Sequence, residues 1–267
     1  MTPASSLQGA LADGARALGH WLQGWWRIVE LGAQLTTLAL SPSTYSRAHR
    51  AALLRHVVLG TVPSLLWFTA LSTLLSLIVI RIVVVTSVSY GLSQYALEMV
   101  VRVLVLELIP LTAALFAALR CTIPFAAEVA ALRASGRWAA LQRAGADPLA
   151  AEALPRVSAG TFCALLLAAI SCGVTLVLAY LAVYGFTAAG FAAYTRTVGH
   201  VFDAGVSLVF GLKILAMALA VALLPLASIL IAPARERPGT SAELRGLVRM
   251  FFVLLLIEAG SLVGNYY

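Results

Sequence analysis

Apolar residues fill this chain in five long blocks separated by short polar or basic breaks. The blocks cover about residues 57–85, 95–119, 157–186, 206–231 and 244–263. Each is long enough to cross a hydrocarbon layer as a helix, which takes about 20 residues. Pro63 and Arg81 interrupt the first of them. Residues 18–40 follow a different pattern. Trp21, Trp25, Ile28, Val29, Leu31 and Leu35 recur near helical spacing, while Gln23, Arg27, Glu30 and Gln34 break the apolar face. That polar density disfavours a span, and Trp clustered beside a basic residue predicts a helix lying in the headgroup layer. A helix packed on the soluble side of the bundle is the alternative. Ser41-Pro42-Ser43 closes it, since Pro cannot continue a helix and Ser favours a new cap. Residues 120–155 are too polar for a span yet keep a helical rhythm. A loop with an amphipathic stretch leads to Asp203, and a basic, Pro-rich break at 233–239 precedes the last block. The pattern predicts an all-α membrane protein with an N-terminal interfacial helix and five transmembrane helices. It divides into residues 1–44, the tail and interfacial helix, and 45–267, the five-span domain.

Composition excludes the soluble classes. The 267 residues are 61% hydrophobic and 11% charged, with a mean hydropathy of +0.96. A soluble domain carries about 25% charged residues. The net charge is +7, and every basic residue except Lys213 is Arg. A nucleic-acid binder would gather such charge in stripes with interleaved aromatics; here the Arg residues sit between apolar blocks. Placing the N-terminus in the cytoplasm leaves only Arg81, Arg102, Arg196 and Lys213 away from that side, so the positive-inside rule predicts N-terminus in and C-terminus out. The first 20 residues lack a basic start followed by an apolar core, so no cleavable signal peptide is expected. Cys121, Cys163 and Cys172 have no metal-site spacing, and no two His stand at i,i+4. HExxH, GxSxG and GxxxxGK[ST] are all missing, so an ATP site for active transport must lie on another chain.

Three charges fall inside apolar blocks: Glu107 in VLVLELIPL, Lys213 in VFGLKILAM and Glu258 in LLLIEAGSL. A charge at bilayer depth costs at least about 2.5–3.5 kcal/mol on insertion scales. Such residues either form a functional polar cluster or pair to fix packing, with snorkelling open to Lys213. Residues 126–156 hold the most informative polar segment. Ala130, Leu132, Trp138, Leu141 and Ala144 can form an apolar side, with Arg133, Arg137, Gln142 and Arg143 around it. Gly145 and Asp147-Pro148 end one helix and start the next. A short amphipathic helix between two spans suits docking on an ATPase, or is a solvated loop helix.

LELIPLTAALFAALR, AAEVAALRAS and LQRAGADPLAAEALPR resemble the signature region of MlaE-type permeases. The matching positions are Glu107, Leu108, Pro110, Ala114-Leu115, Arg120, Ala127-Glu128, Ala140-Leu141, Gly145, Asp147-Pro148 and Pro155-Arg156. The chain departs from the family at Leu106, where an Arg is usual, at Ala113 for Thr, and at Gly136-Arg137 in place of an acidic-Gln pair. The resemblance implies the membrane subunit of an ABC transporter moving phospholipids or related lipids between membranes of the cell envelope. It implies a coupling helix in the region 121–155, with Glu128, Arg133, Arg137, Trp138, Leu141, Arg143 and Asp147 as ATPase contacts. It implies a buried polar network of Glu107, Lys213 and Glu258, and a lipid cavity near Tyr90, Leu108 and Leu111.

The implied partners are a second copy of the chain, an ABC ATPase carrying ATP and Mg, an MCE-domain protein and a small STAS-like cytoplasmic subunit. The implied location is the bacterial inner membrane, with no cofactor on this chain and no nucleic acid. A membrane scaffold that recruits such partners without transport, and a proton-coupled secondary transporter, are the alternatives.

Overall fold

The computed structural model describes residues 3–41, 47–232 and 241–266. The Pro42-Ser43 break and the 233–239 segment lie outside them. The described residues contain no strand. They form α1 (Pro3–Leu40), α2 (Arg47–Ser89), α3 (Ser93–Ala134), α4 (Arg137–Arg143), α5 (Leu149–Tyr184), α6 (Phe191–Val201), α7 (Ala204–Ile231) and α8 (Ser241–Tyr266). Five of these, α2, α3, α5, α7 and α8, are long and apolar enough to cross a membrane. They carry the five apolar blocks of the sequence. Several run beyond the blocks, because polar turns at both ends continue the helical backbone past the apolar stretch.

Side-chain pairs fix how the helices run. Between α2 and α3, Gly60 faces Phe125, Ser64 lies 3.6 Å from Cys121, and Phe68 packs on Phe116. One number rises while the other falls, so these helices are antiparallel. Between α2 and α5, Ser72 donates to Ser171 at 3.0 Å and the Ser76 and Thr175 hydroxyls bond at 2.8 Å. Both pairs are 99 residues apart, which is the mark of parallel helices. Between α7 and α8, Val209 meets Gly264, Lys213 meets Glu258, and Ser228 meets Gly246, again antiparallel. Glu107 and Arg133 of α3 meet Lys213 and Ile229 of α7 with both numbers rising, so these two are parallel, and the five helices alternate in direction. The start of α2 and the end of α8 lie at opposite ends of the bundle.

The bundle closes through small residues, which let helices approach when no water drives them together. A Cβ on Gly160 would lie 2.6 Å from Thr122 Cγ2, and one on Gly246 would lie 2.9 Å from Ser228. The core divides by depth. Ala117, Cys121, Leu167 and Met217 centre one half; Val101, Leu104, Val105 and Ile109 centre the other. α1 lays Ile28 and Leu35 against the bundle and leaves Trp21 and Trp26 exposed. Arg249 of α8 stacks over Trp25 at 5.9 Å. Leu35 shares a third apolar cluster with Val129, Leu154 and Leu226, which fixes α1 at the end of the bundle where α4 sits.

α3 is not a uniform helix. It is π-helical over Val101–Leu108 and again over Ala118–Thr122, with α-helical turns between. Pro110 and Pro124 begin the α-helical turns after each. At the end away from α4, α6 packs across the bundle. Tyr194 donates to the Leu176 carbonyl at 3.0 Å, and burial pushes its phenol above the ordinary pKa.

Candidate functional site: a buried charge cluster and a helical hairpin

Lys213 sits ten residues into α7 on its buried face, its side chain 1% exposed. An ammonium that deep needs partners, since burial of an unpaired charge is costly. Nζ donates to the Leu106 carbonyl at 3.0 Å and to Glu107 Oε2. Glu258 Oε2 lies 3.1 Å away, close enough for charge pairing but not aligned for a hydrogen bond. The cluster thus joins α3, α7 and α8 through one cation and two carboxylates. Glu107 Oε1 is buried with no hydrogen-bond partner among the described residues. Glu107 is presented by the first π-helical segment, whose wider turn re-aims side chains relative to the α-helix that follows. The Leu106 carbonyl is a backbone acceptor, and its side chain brings no second cation where the family resemblance places an Arg.

The second feature is the hairpin joining α3 to α5. Ser135 and Gly136 turn the chain, and Gly136 has φ +74°. A residue with a Cβ is strained there, which accounts for Gly where the resemblance places an acidic residue. α4 follows at once and ends at Gly145, also with positive φ. Asp147 Oδ1 accepts from the Leu149 amide at 2.9 Å and so starts α5. Trp138 packs into the apolar cluster beneath α1, and Leu141 is half-buried. Arg137 and Arg143 are exposed. A cleft of about 420 Å³ opens beside α4, walled by Leu31, Arg133, Trp138, Asp147, Leu149 and Leu230.

Two arginines tie this hairpin down. The Arg156 guanidinium, 9% exposed, donates to Glu128 Oε2 at 3.1 Å and to Glu152 Oε2 at 2.7 Å. It bridges the two arms of the hairpin. Arg133 donates to the carbonyls of Ile229 and Ala232, the latter at 3.2 Å, at the end of α7. Glu128, Arg133 and Asp147, read from the sequence as partner contacts, also bond within the chain; Arg137 and Arg143 are exposed, with Arg143 donating to the Ala139 carbonyl one turn back at 3.3 Å. The roles of Arg156 and of the α7 carbonyls were not read from the sequence. Only the Glu152–Arg156 spacing of four residues on one helix signals the first, and nothing local signals the second.

The remaining candidates are dispersed. Leu108 borders one core half and Leu111 the other. Tyr90 is 77% exposed at the turn after α2 and joins neither. Arg81 is exposed, and Arg102 pairs with Glu98 one turn back at 2.9 Å.

A helical hairpin thus joins the second and third of the five candidate spans at one end of the bundle, and the Glu107–Lys213–Glu258 cluster lies deeper within it. The sequence model of the Permease MlaE family matches residues 53–262. The chain belongs to the MlaE permease family. The match takes in all five candidate spans almost completely, the hairpin and the three buried charges. No curated protein matches the chain. As an MlaE permease, it is a multi-pass ABC-transporter permease subunit for lipid transport, not itself an enzyme, and works with ABC-transporter partners.

Proposed function

We propose that this MlaE permease moves phospholipids or related lipids between membranes of a bacterial cell envelope, driven by ATP hydrolysed on a separate ATPase. Two copies form the membrane unit. Two ATPase subunits, each carrying ATP and Mg, dock on the hairpins, and an MCE-domain protein continues the lipid path at the opposite face. A small STAS-like subunit sits with the ATPases. The chain lies in the inner membrane with α4 in the cytoplasm, because the hairpin end carries Arg133, Arg137, Arg143, Arg156, Arg245 and Arg249.

The observation that supports this reading most is α4 itself. It stands at the arginine-rich end with Arg137 and Arg143 outward, and its hairpin is bonded to α5 and α7 rather than free. A load placed on α4 thus reaches the spans. Lys213, Glu107 and Glu258 form the switchable element: in low dielectric their pairing responds strongly to small helix shifts. Lipid tails meet the apolar faces of α2 and α8, where Leu66, Trp67 and Val248 are among the most exposed apolar residues.

The test is purification of the tagged chain from its native membrane in mild detergent, with mass spectrometry of proteins and lipids. An ATPase, an MCE-domain protein and bound phospholipid are the expected companions. Recovery of the chain with an MCE-domain protein but no ATPase would replace transport by a scaffold role.

A further inference from the structure

Arg133 was expected on the docking surface, yet its guanidinium turns inward. The last carbonyls of any helix lack intrahelical partners and carry the negative end of its dipole. At the end of α7 Arg133 supplies the missing donors, bonding Ile229 and Ala232 through two different nitrogens. Its planar fork aims two nitrogens in fixed directions at two acceptors, a geometry that the single ammonium of a Lys does not reproduce. On its other side, Arg133 is four residues before α4. The ladder of the α3 side ends at Gly136, whose amide bonds the Arg133 carbonyl at 3.2 Å, and that of α4 begins there, with the Ala140 amide on the Gly136 carbonyl at 3.0 Å. Only Ala134, Ser135 and Gly136 separate Arg133 from α4, so a displacement of α4 bears directly on the backbone that carries Arg133.

α7 continues this connection inward. Lys213 and Ile229 are on the same helix, about 24 Å apart at 1.5 Å per residue. Pro225 lies between them, but Leu224, Pro225 and Leu226 are all buried and the helix is continuous through them. Close approach of Gly246 to Ser228 leaves the α4 end of α7 little room to slip sideways. Arg133 and Leu230 also share a wall of the cleft with Trp138, so a shift of α4 changes a surface that α7 helps to form.

We propose that Arg133 is a positioning residue, one that passes displacement of α4 to α7 and hence to the Lys213 cluster, and that it takes no part in holding the ATPase. This rests on the reading that α4 docks an ATPase. Docking then falls to Arg137 and Arg143, whose charges are exposed and suit an acidic partner surface. The two jobs separate by residue: outward arginines set assembly, and the inward arginine sets how much lipid moves per ATP.

The experiment uses the full complex reconstituted in phospholipid vesicles, with Arg133→Gln, Arg133→Lys and the pair Arg137→Ala/Arg143→Ala. Three quantities are read: ATPase recovered per permease, ATP turnover, and phospholipid moved per ATP. In Arg133→Gln, ATPase recovery and ATP turnover stay near those of the unsubstituted chain. Phospholipid moved per ATP falls at least about fivefold, the lower end of ordinary coupling between sites. Arg133→Lys falls between the two. Arg137→Ala/Arg143→Ala lowers ATPase recovery while any complex that forms keeps its lipid-per-ATP ratio. Loss of the ATPase in Arg133→Gln, or an unchanged ratio, would overturn the inference. If Arg133→Gln does not fold, Arg133→Lys decides it by the same ratio. A purely local capping role would lower thermal stability and leave the ratio intact. Failure of the unsubstituted chain to bring down any ATPase would instead sink the transport reading, and this inference with it.

Discussion

At the scale of single residues, the Lys213 cluster is where one side chain matters most. Removing the cation leaves two carboxylates buried without it, and breaking a buried pair this way costs about 3–5 kcal/mol. Lys213→Met should therefore lower unfolding stability in detergent by that amount. Adding Glu107→Gln and Glu258→Gln should restore most of it, because no charge is then left alone. A single substitution costing less than about 1 kcal/mol, a value ordinary for exposed ion pairs, would show that the cluster does not hold the helices together. Glycines give a cleaner contrast. Gly246→Ala places a Cβ 2.9 Å from Ser228 and should destabilise by about 1–3 kcal/mol, as overpacking does. Gly173→Ala meets nothing within 4 Å and should stabilise α5 by about 0.5–1 kcal/mol, by helix propensity alone. Thermal unfolding of both variants in one detergent decides the point; equal shifts would mean that the close approach of α7 and α8 is not maintained.

At the scale of elements, α2 and α5 are joined by hydroxyls rather than by charge. Interhelical hydrogen bonds of this kind contribute about 0.6 kcal/mol on average in membrane proteins. Ser76→Ala with Thr175→Val should accordingly cost little, and a loss above about 2 kcal/mol, past the largest such bond measured, would mark this pair as something more than packing. This ladder also shows where sequence reading ends. Apolar blocks give the spans, because lipid demands about 20 apolar residues whatever the neighbours are. The buried charges stood out for the same reason, as exceptions within those blocks. Ser72, Ser76, Ser171 and Thr175 did not stand out, since a hydroxyl is unremarkable in an apolar helix and its partner lies 99 residues away. The bonds of Arg133 were illegible for a related reason: its spacing in the hairpin is that of an exposed charge, and its acceptors at the end of α7 lie almost a hundred residues later. α1 was read short, from residue 18, because the stretch before it is small and polar; helical backbone in fact begins at Pro3.

At the scale of the whole molecule, alternation of the five spans sets the hairpin and the turns after α2 and α5 at opposite faces. Ala139 is exposed on α4, and Phe186 is 94% exposed just beyond α5. Ala139→Cys and Phe186→Cys should then react with a membrane-impermeant maleimide from opposite sides of sealed vesicles, with the native cysteines buried and silent. Labelling of both from one side would break the five-span topology. The second π-helical segment, Ala118–Thr122, lies between Glu107 and Arg133 on the same span. An extra residue is held in such a turn, so its length sets the angle between everything before it and everything after it. Deleting Leu119, which is 65% exposed and packs on little within the chain, would swing the hairpin side by about 100° against the charge-cluster side. A one-residue deletion at an exposed position would thus re-aim the hairpin against the Lys213 cluster without touching either. Helical phase therefore fixes the chain length at this point, unless a second change restores it.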